Sequence, residues 1–485
     1  MAKITTIIDI GSNSMRMVVL KKTSRFAFHL INESKSKVKI SEGCYENNGN
    51  LQILPMQRAY DALKSFLEIA KNLKSRKILC VATSALRDAP NKSEFISRVS
   101  KELKLNIKVI DGKKEAYYGG VAALNLIDCE RFTTIDIGGG STEFAFIDDG
   151  HILDTISLDI GTVRIQELYL NKNDIVGAKK YIISQLESID KTLPTIVGLG
   201  GSVRALSRII IQKDNYPLDS LHGFEYKVQE NLPLFTSIIE AKSVKELKLL
   251  GVQKDRYDTI TVGTIIFKTI LKYFEVKKVI TSAVGVREGI YLTDLLRTSN
   301  YKFPVNFNVS IRSLLDRFVD DESMSGYLGN NARNIFEVLK PLHSLNEKYR
   351  TILVIASKLQ QIGISLNFDH NEDHAFWYIL NGLNYGFTHQ DKILIATIAK
   401  FTKKSLLKQK GIEEFKSLLP SLEIVCWLYF MMTLNLSLNC EYTKTKYDYL
   451  LEENKLIIKS KDTQYLVHSS LQKIKAPIDL LLEYN

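Results

Sequence analysis

Along the first 300 residues the apolar positions repeatedly change period. The stretches ITTIIDI, RMVVLKK, KILCVATSA, IKVIDG, FTTIDIG, EFAFIDD, TIVGLGG and KKVITSA are short β-branched runs that predict strands. Between them, MQRAYDALKSFLEIAKNLKS and KSEFISRVSKELKL carry apolar residues at helical spacing. Strands alternating with helices predict an α/β architecture with largely buried sheets. After TSNYKFPVNFN, near residues 298–308, the pattern lengthens: SIRSLLDRFVDD, NIFEVLKPLHSLNEKYRTILVIASKLQQIG and QDKILIATIAKF predict helices as far as about residue 440. From about residue 441, KLIIKSK and TQYLVHSS return to short runs and predict a small α+β appendage.

A chain of 485 residues exceeds one core and implies about three domains. The pattern divides it into α/β domains at 1–125 and 126–300, a helical domain at 308–440 and the appendage at 441–485. The last helix of the second α/β domain is free to return to the first. The most membrane-like stretch, IVCWLYFMMTLNLSL, is short for a bilayer span and is interrupted by Asn435 and Ser437, so a buried helix is predicted. The N-terminus reads as a strand, with no signal-peptide pattern. Five scattered cysteines (Cys44, Cys80, Cys129, Cys426, Cys440) form no C-x-x-C pair, which speaks against a disulfide framework or zinc site and for the reducing cytoplasm. The net charge of +11 fits a polyanionic partner or simply solvated helix faces, and charge alone does not choose. No helix-turn-helix, RRM or KH pattern points to nucleic acid.

The chemistry lies in an internal echo. IIDIGSNSMRMVVL and TIDIGGGSTEFAFI share a strand, Asp-Ile-Gly, a small polar loop and a second strand, which predicts two related halves facing one cleft. Three glycine-rich turns follow strands: Gly11-Ser12-Asn13-Ser14, Gly138-Gly139-Gly140-Ser141-Thr142, and Gly198-Leu199-Gly200-Gly201-Ser202, the last entering a helix. Bare amides with Ser and Thr hydroxyls make donor sets that fit phosphate oxygens. No Walker loop or G-x-G-x-x-G occurs. Asp9 and Asp136 stand just before the glycines and Glu143 follows Ser-Thr. Carboxylates beside phosphate repel it unless a hard cation lies between, so Mg²⁺ is implied, with Mn²⁺ equally suited to oxygen ligands. Each carboxylate can alternatively cap a turn. Glu115, in VIDGKKEAYYGG, reads by spacing as a first-turn residue favoured by the helix dipole. Arg87, Arg164, Arg204 and Arg287 sit at predicted strand–helix junctions, where guanidinium groups clamp phosphates or form surface ion pairs.

Together these segments resemble the exopolyphosphatase/guanosine pentaphosphate phosphatase (Ppx/GppA) family of the actin, sugar kinase and Hsp70 superfamily. The matching stretches are DIGSNSMRMVV, ATSALRDAPN, VIDGKKEAYYGG, IDIGGGSTEFAF, LDIGTVRI, GLGGSVRAL and SAVGVREGI, in the family's order. The resemblance implies two actin-like (RNase H-like) α/β domains flanking a cleft, then a helical HD-like domain. It implies Glu115 as the catalytic base that activates water, and Asp9, Asp136 and Glu143 as the acidic residues around the metal. Arg87 is the implied phosphate contact, with Ser12, Asn13, Ser14, Gly138, Gly139, Gly140, Ser141, Thr142, Gly201, Ser202 and Arg204 lining the phosphate track. The implied reaction is attack of water on a terminal phosphoryl group of inorganic polyphosphate, pppGpp or both, processive on the polymer, in a homodimer.

The helical part departs from the HD pattern. Gln360-Gln361 stands where a His-Asp pair is expected, Asn331 near the first histidine position, and Thr402 in place of another, while His374 remains. Amides do not replace metal ligands, so this domain is expected to lack a metal centre. Two alternatives to hydrolysis stay open: an ATPase or kinase of the same superfamily, and a weakly catalytic polyphosphate or alarmone sensor.

Overall fold

The computed structural model describes residues 3–400, 413–462 and 464–485. The chain divides into two compact units, one ending at Phe307 and the other beginning at Asn308. Thr402 lies outside the described residues.

The first unit holds two sheets. Strands β1 (Ile4–Ile10), β2 (Met15–Lys22), β3 (Phe28–Ser36), β4 (Lys77–Ala82) and β5 (Ile107–Val109) are ordered β3-β2-β1-β4-β5. Strands β6 (Phe132–Ile137), β7 (Thr142–Asp148), β8 (His151–Leu158), β9 (Thr195–Gly198), β10 (Glu225–Lys227) and β11 (Lys278–Thr281) are ordered β10-β11-β9-β6-β7-β8. In each sheet a three-stranded antiparallel meander is followed by parallel strands. The second sheet therefore repeats the first and adds β10 at its edge. The predicted internal repeat and the α/β fold with two actin-like halves are observed.

The central strands are those whose apolar runs stood out. Ile7, Ile8 and Ile10 of β1 are fully buried, as is Ile135 of β6, because both faces of these strands are covered. Strands β3, β8 and β10 escaped the sequence pattern for the opposite reason. Strand β3 lies at a sheet edge with mixed polar sequence FHLINESKS, β8 is an edge strand with a single fully buried residue, and β10 has only three residues.

Two helices carry the site. Gly112–Leu126 packs on β6, β7 and β8, and Val286–Leu295 packs both on it and on β1. The crossing is close enough that a Cβ at Gly289 would fall 1.8 Å from the Tyr118 carbonyl oxygen.

The second unit contains helices Val309–Phe318, Glu322–His343, Glu347–Leu359, Asn371–Gly382, His389–Lys400 and Leu422–Leu438. A small sheet orders β12 (Asp448–Glu452), β13 (Lys455–Lys459) and β14 (Leu481–Tyr484). The apolar stretch around Trp427 is the buried Leu422–Leu438 helix. No helix among the described residues is long and apolar enough to cross a membrane. All five cysteines are free thiols.

Candidate active site

The repeat builds the site. Both meanders turn through four residues: Ile10 pairs with Met15 across the first turn, and Ile137 with Thr142 across the second. One step back, Asp9 faces Arg16 and Asp136 faces Glu143. Residues directly opposite in an antiparallel pair share a face, so each turn presents an Asp with a charged partner. The two partners have opposite charge, the first asymmetry between the halves.

Each loop's carbonyls are tied back, leaving amides over. The carbonyls of Ser12 and Asn13 accept from the amides of Ser41 and Lys39 at 3.2 and 2.9 Å. Those of Gly138 and Gly139 accept from Thr162 and Val163 at 2.9 and 2.8 Å. The amides of Ser12, Asn13, Gly139 and Gly140 donate to no backbone carbonyl among the described residues. The triple glycine also provides room. A Cβ at Gly139 would lie 2.6 Å from the Ser12 Cβ, and one at Gly140 would lie 2.6 Å from the Ser84 Oγ. Three chain segments thus meet where side chains are missing, and Ser12 and Ser84 hydrogen-bond through their hydroxyls at 2.9 Å.

The resulting cavity has a volume of about 140 Å³. Asp9, Ser12, Asn13, Ser14, Glu115, Asp136, Gly138, Gly139, Ser141, Gly201, Ser202 and Arg204 all line it. Four predicted residues stand behind its wall. The Thr142 hydroxyl donates to the Ile160 carbonyl, Gly140 packs on Ser84, Glu143 accepts from Ser157 Oγ at 2.8 Å, and Arg87 reaches the cavity through others. The Arg87 guanidinium lies 3.2 Å from Glu115 Oε2, 3.3 Å from Ser141 Oγ and 3.3 Å from the Ile110 carbonyl. Glu115 occupies the first turn of its helix, N-capped by Asp111, and also lines the cavity. The first-turn position favoured by the helix dipole is therefore also a cavity position. Of the other junction arginines, Arg287 lines the cavity, whereas Arg164 braces the triple-glycine loop by donating to the Gly140 carbonyl at 2.8 Å.

The sequence reading missed Arg16 and Arg256, which join Arg204 and Arg287 in the lining. Arg16 was legible: aligning DIGSNSMR with DIGGGSTE places it opposite Glu143. Arg256 had no such signal. It comes from a short turn, Lys254–Arg256, and a Cβ at Gly201 would lie 2.6 Å from its guanidinium. Glu33 of β3 lies 3.1 Å from Arg287 and 3.9 Å from Arg16, holding both.

Burial dominates the electrostatics. It pushes Asp9 up to about 6, with Arg287 pulling against it and Asp136 adding to it. Asp136 is likewise raised by burial against the pull of Arg204. Glu115 is driven well above the usual carboxylate range by burial and then by Glu143 and Asp9, while Arg87 opposes. Glu143 is raised by burial, against hydrogen bonds from Ser141 and Ser157. Burial lowers Arg204 to about 10, helped by Arg16 and Arg287.

No group of three His, Cys, Asp or Glu side chains gathers as a ligand set among the described residues. Asp9, Asp136 and Glu115 share the cavity, and Glu143, opposite Asp136 on the neighbouring strand, stands behind them on Ser157. Of these three carboxylates, Asp9 and Asp136 fit a hard cation such as Mg²⁺, which binds through one or two carboxylates plus water and substrate oxygens.

A larger groove of about 1310 Å³ adjoins the cavity, sharing Ser12, Asn13, Thr162 and Thr259 with it. Lys39, Lys179 and Lys242 are outnumbered there by Glu42, Glu167, Glu240 and Asp258. Apolar Leu170, Ile175, Ile239 and Val262 and the amides Gln166, Asn171 and Asn173 complete the wall.

At the centre of the second unit, where the HD pattern was broken, the polar side chains satisfy one another. Tyr449 donates to Asn331 Oδ1 at 2.6 Å, and Asn331 donates to Asn435 Oδ1 at 2.9 Å. Asn435 in turn donates to the Leu328 carbonyl at 2.9 Å and to Ser357 Oγ at 3.1 Å. Gln360 is buried in the 3-10 turn Gln360–Ser365, and His374 lies in the Asn371–Gly382 helix.

Residues 18–298 match the Ppx/GppA phosphatase family and residues 308–476 match domain III of the Ppx/GppA phosphatases. A guanosine-5'-triphosphate,3'-diphosphate pyrophosphatase of Aeromonas hydrophila is 26% identical over 420 residues, covering 84% of this chain and 82% of the relative. A bifunctional 3-dehydroquinate synthase/phosphatase of Fusobacterium nucleatum is 31% identical over 290 residues, which span 55% of this chain and 43% of that longer protein. Among solved structures, the Aquifex aeolicus Ppx/GppA family member is 28% identical with a TM-score of 0.53, covering 62% of this chain and 99% of its own. An exopolyphosphatase from Cytophaga hutchinsonii, 24% identical with a TM-score of 0.55 over 60% of this chain and 97% of its own, shares the fold.

Proposed function

Because the chain belongs to the Ppx/GppA phosphatase family, we propose that it releases the terminal phosphate of pppGpp by attack of water on the phosphoanhydride, with inorganic polyphosphate as the poorer substrate. The observation that carries this reading is the buried Glu115 carboxylate, 3.2 Å from the Arg87 guanidinium and at the wall of a cavity lined by four arginines and two loops of unpaired amides. A phosphoryl transition state spreads charge over its equatorial oxygens, so positioned donors and cations supply most of the stabilisation. Arg16, Arg204, Arg256 and Arg287, with the loop amides, are placed for that role. Glu115 takes the proton of the attacking water, and the raised affinity for protons that burial and Glu143 give it strengthens it as a base. Arg87 orients that carboxylate and, through Ser141, joins it to the second loop. Asp9 and Asp136 would hold a divalent cation, Mg²⁺ or Mn²⁺, which when bound neutralises charge on the phosphate.

The preference for pppGpp rests on the adjoining groove. A polyphosphate chain carries charge on every residue and calls for an excess of cations, as in the cavity itself. The groove instead offers three lysines against four carboxylates, with apolar and amide surface between. Such a wall suits a nucleoside, with an apolar face and hydrogen-bonding edges.

The test is Mg²⁺-dependent phosphate release from pppGpp and from long-chain polyphosphate by wild type and Glu115→Gln. The expected result is faster turnover of pppGpp and a loss of about 10²- to 10⁴-fold in the variant. Faster release from polyphosphate would overturn the substrate preference. An active Glu115→Gln would remove the base, and binding of both substrates without turnover would make the protein a sensor.

A further inference from the structure

A second charged cavity lies in the first unit, on the same face of the same strand as the first. Thr5 and Asp9 are four residues apart on β1, so their side chains share a face, roughly 13 Å apart along the strand. Asp9 lines the catalytic cavity, and Thr5 lines a separate cavity of about 100 Å³. The Val286–Leu295 helix packs on β1 and serves both: Val286 and Arg287 line the first cavity, Tyr291 and Asp294 the second.

The second cavity is built for an anion. Lys22, Lys77 and Arg297 surround it with a single carboxylate, Asp294, leaving a net charge of +2 in the lining. Asp294 is already engaged by Lys77 at 2.6 Å. Burial lowers the affinity of Lys22 for its proton, against the pull of Asp294. Tyr291 is only 2% exposed, stacks edge-on with Phe28, and its buried hydroxyl has no hydrogen-bond partner. An orphaned hydroxyl costs stability unless a ligand takes it up.

We propose that this cavity is a second oxyanion site that binds inorganic phosphate, the product of the reaction, with Tyr291 donating to a phosphate oxygen and Lys22 and Arg297 supplying charge. The volume suits a single tetrahedral anion, and the lining charge matches a phosphate dianion. The wall has no room for a nucleoside.

The experiment is calorimetric titration of inorganic phosphate into the full chain at constant ionic strength, comparing wild type with Tyr291→Phe and Arg297→Ala. Neither variant touches the catalytic cavity, and Tyr291→Phe removes one atom from the core, so folding is preserved. Wild type is expected to show two classes of phosphate site. Each variant should weaken one class at least tenfold and leave the other unchanged. Identical isotherms for all three proteins would overturn the proposal. So would a Tyr291→Phe protein that gains thermal stability while binding phosphate as wild type does, because the hydroxyl would then be a packing defect.

Discussion

The catalytic cavity and the centre of the second unit are both buried and polar, yet they resolve burial in opposite ways. Around Asn331 and Asn435, four side chains exchange hydrogen bonds until each amide is satisfied, and no ionisable carboxylate or imidazole takes part. Around Asp9, Asp136 and Glu115, burial drives the carboxylates up, and loop amides are left without backbone acceptors. A folded chain tolerates such unrelieved charge where a ligand relieves it. Of the HD-like positions, Asn331 stands within this network, where it both accepts and donates a hydrogen bond.

The sharpest way to break the cavity side of this comparison is Gly200→Ala. Gly200 has φ +70, which a side chain adopts only with strain, and its Cβ would fall 2.2 Å from Asp136 Oδ1. The substitution pushes Asp136 out of place as well as straining the backbone. A misplacement of about 1 Å costs on the order of 10²-fold in rate, and the strain costs about 1–3 kcal/mol in stability. Steady-state phosphate release and thermal unfolding check the two parts separately. A variant with wild-type turnover would show that Asp136 need not stand where it does.

The second unit's side is tested by Asn435→Ala. This change leaves the Asn331 amide without its acceptor in the core and removes the donor to the Leu328 carbonyl and Ser357 Oγ. Losing partners of several buried groups, together with side-chain volume, is expected to cost about 3 kcal/mol in unfolding free energy. Denaturant unfolding reads it. A cost below about 1 kcal/mol would mean that water enters and replaces the network.

How much of this was legible beforehand follows the physics of each element. The central strands were readable because full burial writes continuous apolar runs, whereas β3 and β8, at sheet edges, carry polar residues that mask their period. The two Asp-Ile-Gly turns were readable because a close approach of three segments tolerates only glycine. Arg256 was not, since a short polar turn gives no hint of which long side chain will reach across a fold. The expectation that Asp9, Asp136 and Glu143 act together came from their like placement beside the glycine loops and from the family resemblance. The strand register sets Glu143 directly opposite Asp136, and Glu143 also accepts from Ser157 on β8.

The smallest effect concerns a buried charge that the comparison would place only in the first unit. Lys392, in the His389–Lys400 helix of the second unit, is 4% exposed, and burial lowers it from its ordinary 10.5 to about 8. Between about pH 8 and 10.5 the unfolded chain holds a proton that the folded chain has released, so stability rises with pH across that window. At pH 7 both states are protonated and the folded state bears the cost of burying the cation. Lys392→Met keeps the length of the side chain without its charge, and is expected to stabilise the second unit at pH 7 by about 2 kcal/mol and to abolish its share of the rise. Unfolding midpoints of both proteins, measured from pH 7 to 10.5, should converge as the lysine loses its proton. If the gap instead stays constant over that range, the ammonium group is solvated in the native state, and unrelieved buried charge belongs to the catalytic cavity alone.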